Sequence, residues 1–100
     1  MKAKIHTQYK DELPDGSIVS IVIWVLPEKT IERPQGYKYR LNYSTIDGTT
    51  WVRYDNETGK GDHRHIGAIE IAYEFLSIEK LVRDFMRDVR MMSEKQRREP

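Results

Sequence analysis

Hydrophobic periodicity changes once along this chain, and the change limits it to a sheet covered by a single helix. Segments between Lys2 and Asp55 alternate apolar and polar residues with period two, the spacing of strands buried on one face. From Ser77 onward the apolar residues recur at helical spacing instead. In the first segment Ala3, Ile5, Thr7 and Tyr9 are expected inward, with Lys2, Lys4, His6, Gln8 and Lys10 on a basic outer face. Leu13-Pro14-Asp15-Gly16 predicts a turn, since Pro14 presets φ and Gly16 accepts a positive φ. The next strand, Ser17 to Leu26, places Val19, Ile21, Ile23 and Val25 on one face. Its other face also carries Ile18, Val22, Trp24 and Leu26, so it is expected to be covered on both sides.

Pro27 to Gly36 reads as a surface loop, Tyr37 to Ser44 as a third strand, and Asp47-Gly48 as the turn into a fourth, Thr49 to Asp55. In that fourth strand Val52 and Tyr54 point inward while Trp51 and Arg53 join the basic side. The helix starts at an N-cap, Ser77, with Leu76 and Leu81 spaced for a hydrophobic staple and Glu79 at the positive end of the dipole. Ile78, Leu81, Val82, Phe85, Val89 and Met92 form its apolar stripe, and Asp84 and Asp88 lie to one flank. Lys80, Arg83, Arg87, Arg90, Arg97 and Arg98 occupy the opposite side, where solvation and pairing such as Glu79 with Arg83 are the bland reading and phosphate contact the alternative. The end, from about Ser93, is polar and expected to fray. The prediction is an α+β fold: an antiparallel sheet of four to five strands with one long C-terminal helix on one face, in a single domain over residues 1–100.

A chain of 100 residues buries roughly two thirds of its unfolded surface around one core, which leaves no room for a regulatory domain. Cysteine is absent, which excludes disulfides, thiolate nucleophiles and thiolate metal sites. With 17 basic against 16 acidic side chains, any preference for nucleic acid must come from charge placement rather than total charge. No segment has the apolar length of a membrane span, so a cytoplasmic protein without membrane contact is expected.

The chemistry concentrates between Tyr54 and His65, where two histidines, two aspartates, a lysine and an arginine surround two glycines. His63 and His65 are two residues apart, so in an extended backbone both imidazoles leave from one face. RNA cleavage needs a base for the 2′-hydroxyl proton, an acid for the leaving 5′-oxygen and cations for the charge on phosphorus. His63 and His65 supply the first two, Lys60 and Arg64 the third, and Asp55 or Asp62 would orient an imidazole. No cofactor is required for that scheme. A divalent metal ion held by His63, His65 and Asp62 is the other chemistry open to this set. The bland reading is a polar loop whose histidines bond to its aspartates. Gly59-Lys60-Gly61 lacks the Ser or Thr and the following helix of a Walker A loop, which argues against an NTPase. On the sheet, Arg40, Arg53, Trp24 and Trp51 could grip single-stranded nucleic acid, or form an ordinary solvated face. Asn56-Glu57-Thr58 matches a glycosylation sequon, without meaning in a cytoplasmic chain.

Nearly the whole chain resembles the TumE family of toxin-like proteins. The resemblance rests on Glu12-Leu13-Pro14-Asp15-Gly16-Ser17 and the Ile-Val-Ile-Trp strand, Tyr37-Lys38-Tyr39-Arg40-Leu41, Tyr54-Asp55-Asn56, the Gly59-Lys60-Gly61-Asp62-His63-Arg64-His65 segment, and Leu81, Asp84, Phe85, Asp88 and Val89. It implies the toxin of a two-gene toxin–antitoxin module, partnered by a helix-turn-helix DNA-binding antitoxin. Ile66 to Tyr73 departs from the pattern by being less polar than expected. The resemblance supplies the partner and the class, and the side-chain chemistry of the motif predicts an endoribonuclease. A non-catalytic module that blocks a cellular target is the alternative, and a homodimer through the apolar second strand is a further expectation.

Overall fold

The computed structural model describes residues 2–57 and 59–98. Among these residues six strands, β1 (Lys4–Glu12), β2 (Ile18–Val25), β3 (Tyr37–Ser44), β4 (Thr50–Asp55), β5 (His63–Ile66) and β6 (Ile69–Ala72), are followed by one helix, α1 (Ile78–Arg98). The strands form one sheet in chain order, each antiparallel to its neighbours. The α+β expectation holds, with a strand count higher than the predicted four to five. The added element is β6, whose residues Ile69, Glu70, Ile71 and Ala72 are all exposed. Its alternation, Ile69-Glu70-Ile71, runs over only four residues and ends in Ala72, too short a repeat to mark a strand by itself.

Helix α1 covers one face of the sheet. The core between them consists of Val19, Ile21 and Ile23 from β2, Tyr39, Leu41 and Tyr43 from β3, Val52 and Tyr54 from β4, and Leu81, Phe85, Val89 and Met92 from α1. Ser77 caps the helix by accepting the Lys80 backbone N–H on its Oγ at 3.1 Å. Leu76 is exposed while Leu81 is fully buried, so the start rests on this cap rather than on a staple. Helical backbone continues through the polar end to Arg98.

Two expectations about the first hairpin need correction. The β1–β2 register shifts between Ile5 and Thr7. This bulge puts Ile5 beside Trp24 on the face away from α1, while Thr7 and Tyr9 stay opposite Ile23 and Ile21. Ile5 is 57% and Tyr9 48% exposed, so β1 adds little to the core. Strand β2 is covered on one side only: Ile18, Ser20, Val22 and Trp24 are partly exposed, because no second layer lies over that face.

The aspartates expected on the flank of α1 are instead buried at its contact with the sheet. Asp88 accepts the Tyr54 hydroxyl hydrogen bond, with Arg64 Nη1 at 3.4 Å. Asp84 accepts from the Tyr73 hydroxyl at 2.7 Å and from Lys80 Nζ at 2.6 Å. Burial alone would raise the Asp84 carboxyl, but the bonds from Lys80 and Tyr73 and the charges of Lys80 and Arg87 outweigh it and hold the group below its usual range. Burial first, then the bond to Asp88, pushes the Tyr54 phenol up to about 12.

A phenol whose folded value lies above its ordinary 10.0 contributes stability that is complete below that pH and is lost as pH rises toward about 12. Denaturant titrations should therefore show unfolding free energy falling across that window. In Tyr54→Phe the fall should be shallower, whereas an unchanged slope would mean that Tyr54 does not carry the linkage.

Candidate functional site

Two rows of residues run across the face of the sheet that α1 leaves uncovered. Pairing of β2 with β3, β4, β5 and β6 aligns Val22, Arg40, Asp55, His63 and Ala72 in one row, and Ser20, Asn42, Arg53, His65 and Glu70 in the next. Opposed residues in adjacent strands stand within side-chain reach, so the chemistry gathers where the rows cross β4, β5 and β6. There the His63 and His65 rings meet edge to face with centroids 5.3 Å apart.

The two imidazoles have different surroundings. His63 is buried, with Nδ1 3.0 Å from the Gly61 carbonyl and Nε2 2.7 Å from Asp55 Oδ1. Asp55 is buried as well, and Arg53 Nε lies 3.3 Å from its Oδ2. Neither Asp55 Oδ1 nor Arg53 Nε has a partner in hydrogen-bond geometry, so these two contacts are close approaches rather than aligned bonds. His65 is a quarter exposed, and its Nε2 stands 3.2 Å from Arg53 Nη2. A guanidinium only donates, so His65 Nε2 is the acceptor in that contact. Glu70 Oε1 completes the group at 3.5 Å from the Nε2 of both rings.

Sequence reasoning missed Glu70. A Gly-Ala pair between Ile66 and Ile69 was the available signal. Gly67 has φ +60° and Ala68 has no positive φ, as in the type II′ loop that joins two strands with glycine first. That tight turn carries β6 back along β5 and sets Glu70 beside His65. The apolar segment after the histidines is thus the hairpin that delivers a carboxylate.

Other expected members lie elsewhere. Arg64 alternates to the opposite face of β5, where Nη1 donates to the Tyr54 hydroxyl at 3.2 Å and approaches Asp88. A residue between two outward histidines must point inward, which corrects its assignment as a phosphate ligand beside them. Asp62 precedes β5 and turns away: it accepts from the Tyr39 hydroxyl at 2.7 Å and from Gln35 Nε2 at 3.3 Å. Burial and this bond to Asp62 raise the Tyr39 phenol far above its ordinary value, so it stays a donor. Asp62 therefore supports the loop, and Glu70 takes the place expected for it among groups able to hold a metal. Lys60 is exposed in the turn before β5. Trp51 is half-buried and donates Nε1 to Thr45 Oγ1 at 3.1 Å, which leaves Trp24, under Lys38 Nζ at 5.5 Å, as the open aromatic of this face. Trp24, Arg40, Asn42 and Arg53 line a shallow depression next to the histidines.

The loop between β4 and β5 is held by Asn56, which is buried. Its Oδ1 accepts the Tyr39 backbone N–H at 3.0 Å and its Nδ2 donates to the Tyr37 carbonyl at 2.8 Å. The side chain thus continues the β3–β4 ladder beyond its last backbone pair. Thr58, the third residue of the sequon, lies outside the described residues.

Comparison with protein families matches residues 2–93 to the family described as Toxin TumE. The chain belongs to the TumE family. No curated protein and no solved structure gives a significant match. Among the described residues no helix is long and apolar enough to cross a membrane.

Two stability effects follow for this TumE chain. His63→Ala would leave the buried Asp55 carboxylate with Arg53 as its nearest cation, for an expected loss of about 2 kcal/mol. Asn56→Ala would strand a buried N–H and a carbonyl, again roughly 2 kcal/mol. Glu70→Ala, at a half-exposed position, should stay within about 0.5 kcal/mol of the parent. Thermal melts of the three variants check this ordering, and a His63→Ala protein as stable as Glu70→Ala would contradict the burial argument.

Proposed function

We propose that this TumE chain is the toxin of a toxin–antitoxin module and that it cleaves RNA at the cluster on β4, β5 and β6. The observation that carries the reading is the row Arg53, His65, Glu70, in which a reachable imidazole stands between a guanidinium and a carboxylate. Phosphodiester cleavage needs a proton acceptor beside the attacking oxygen, a proton donor for the leaving 5′-oxygen and fixed positive charge where the phosphorane forms. His65 and Glu70, both reachable by a substrate, are the pair for the two proton transfers: one takes the 2′-hydroxyl proton and the other returns a proton to the leaving oxygen. Arg53, already beside His65, supplies the charge. His63 is too buried to exchange protons with RNA on equal terms with His65, so its part is to hold the ring pair and Asp55 in place.

A track for the strand leads away from the cluster along the uncovered face. Arg40 is exposed one strand over from Asp55, and Trp24 and Lys38 lie beyond it. Cations flanking an aromatic ring suit an unpaired strand whose bases can stack. Family membership supports a cognate antitoxin, and a helix-turn-helix DNA-binding protein is the partner proposed. Cytoplasmic RNA is the substrate pool that fits such a module.

Purified protein incubated with end-labelled RNA tests the activity. Wild type should produce discrete fragments. His65→Ala should reduce the rate by about 100-fold or more while keeping its melting temperature within a few degrees, and expression of that variant should no longer arrest growth. Retarded but uncut RNA that is released as salt rises would favour the non-catalytic binding module instead.

A further inference from the structure

We propose that His63, His65 and Glu70 form a binding site for one divalent first-row transition-metal ion, with Asp55 as its buried counter-charge. One ring nitrogen from each of His63 and His65 and a Glu70 carboxylate oxygen lie within 4.8 Å of one another. Glu70 Oε1 is 3.5 Å from the Nε2 of each ring. Two ligands bound to one zinc ion at about 2.1 Å in tetrahedral geometry stand about 3.4 Å apart, so Glu70 already keeps that distance from both rings.

The hydrogen bonding of each imidazole points the same way. The Gly61 carbonyl beside His63 Nδ1 can only accept, so Nδ1 carries a proton and Nε2, facing Asp55, is the nitrogen left to bind an ion in place of a proton. Metal-bound histidines typically donate their other N–H to a carbonyl or carboxylate, which fixes the tautomer. His65 Nε2 is the acceptor toward Arg53, so it presents a lone pair. The Nε2 atoms of both rings thus face the carboxylate oxygens of Glu70 and Asp55, with Arg53 as the cation in contact with the group.

A second observation concerns Asp55. Its side chain is 5% exposed, and Oδ1 faces His63 Nε2 at 2.7 Å without hydrogen-bond geometry. Burying a carboxylate oxygen with no aligned donor is unfavourable, and a cation in front of it removes the penalty. Two imidazoles with a carboxylate suit zinc, manganese or iron better than magnesium or calcium, which prefer all-oxygen shells. At the site proposed above for RNA cleavage, such an ion would acidify a bound water and draw charge from a phosphate oxygen. That use depends on the cleavage reading; the binding itself does not.

Metal binding can be measured without RNA. Metal-stripped protein would be titrated with Zn²⁺ and with Mn²⁺ against a chromophoric chelator and by calorimetry. One equivalent should bind, accompanied by a rise in melting temperature. His65→Ala and Glu70→Ala, whose positions are exposed enough to spare the fold, should each weaken binding by at least about tenfold, while His6→Ala at the exposed end of β1 should leave it unchanged. Failure of wild type to bind either ion, or equal binding by the His65 and Glu70 variants, would overturn the site and leave a simple ion pair. Cleavage by stripped protein in chelator, with no metal bound, would sink this inference and spare the RNA reading. Stoichiometric binding without any cleavage would do the reverse.

Discussion

Register between β4 and β5 is the constraint on which the rest depends. Asp55 stands opposite His63 and Arg53 opposite His65, while Tyr54 stands opposite Arg64. A slip of one residue would exchange the faces, sending both imidazoles against α1 and Arg64 into solvent. The Gly67 N–H bonded to the Trp51 carbonyl at 2.8 Å closes this ladder beside the β5–β6 turn, and at the other end of β4 Asn56 ties the chain to β3. One alternation therefore builds two polar clusters of opposite character.

The inward cluster is structural. Asp84 and Asp88 are buried between helix and sheet, where carboxylates are unfavourable unless their oxygens are satisfied. Tyr54, Tyr73, Arg64 and Lys80 satisfy them. Because these bonds join α1 to β4, β5 and the segment after β6, they orient the helix along the strands that carry the histidines. Apolar contact between Phe85 and the tyrosines would permit sliding; directed hydrogen bonds permit much less. The outward cluster inherits that rigidity without touching the helix.

What the sequence discloses follows the range of each interaction. The stripe Leu81, Phe85, Val89 and Met92 and the Ser77 cap are local, and both are present. The projection of His63 and His65 from one face needed only the two-residue repeat, and the rings do meet. Alternation read without its register misplaces Ile5, since the bulge before Thr7 leaves no mark in composition. It also misplaces Arg64: a guanidinium between two imidazoles suggests one cluster, although strand geometry divides them. Asp62 and Glu70 exchange roles for a nonlocal reason, because what Asp62 meets is Tyr39, 23 positions away, and what brings Glu70 in is a turn.

The two imidazoles of one motif thus have unequal parts, and burial rather than sequence position assigns them. His63 lies against Asp55 and the Gly61 carbonyl, where its ring cannot move without uncovering a buried carboxylate. His65, one pleat farther along, is bounded by Arg53 and Glu70, whose long side chains can rotate toward solvent. A fixed ring beside an adjustable one is a workable arrangement for holding an ion or a phosphate, since one group sets the position while the other closes on what arrives. The same asymmetry explains why Asp55 is buried and Glu70 is not. A carboxylate that anchors His63 is protected by the sheet, and one that meets a ligand must be reachable from water.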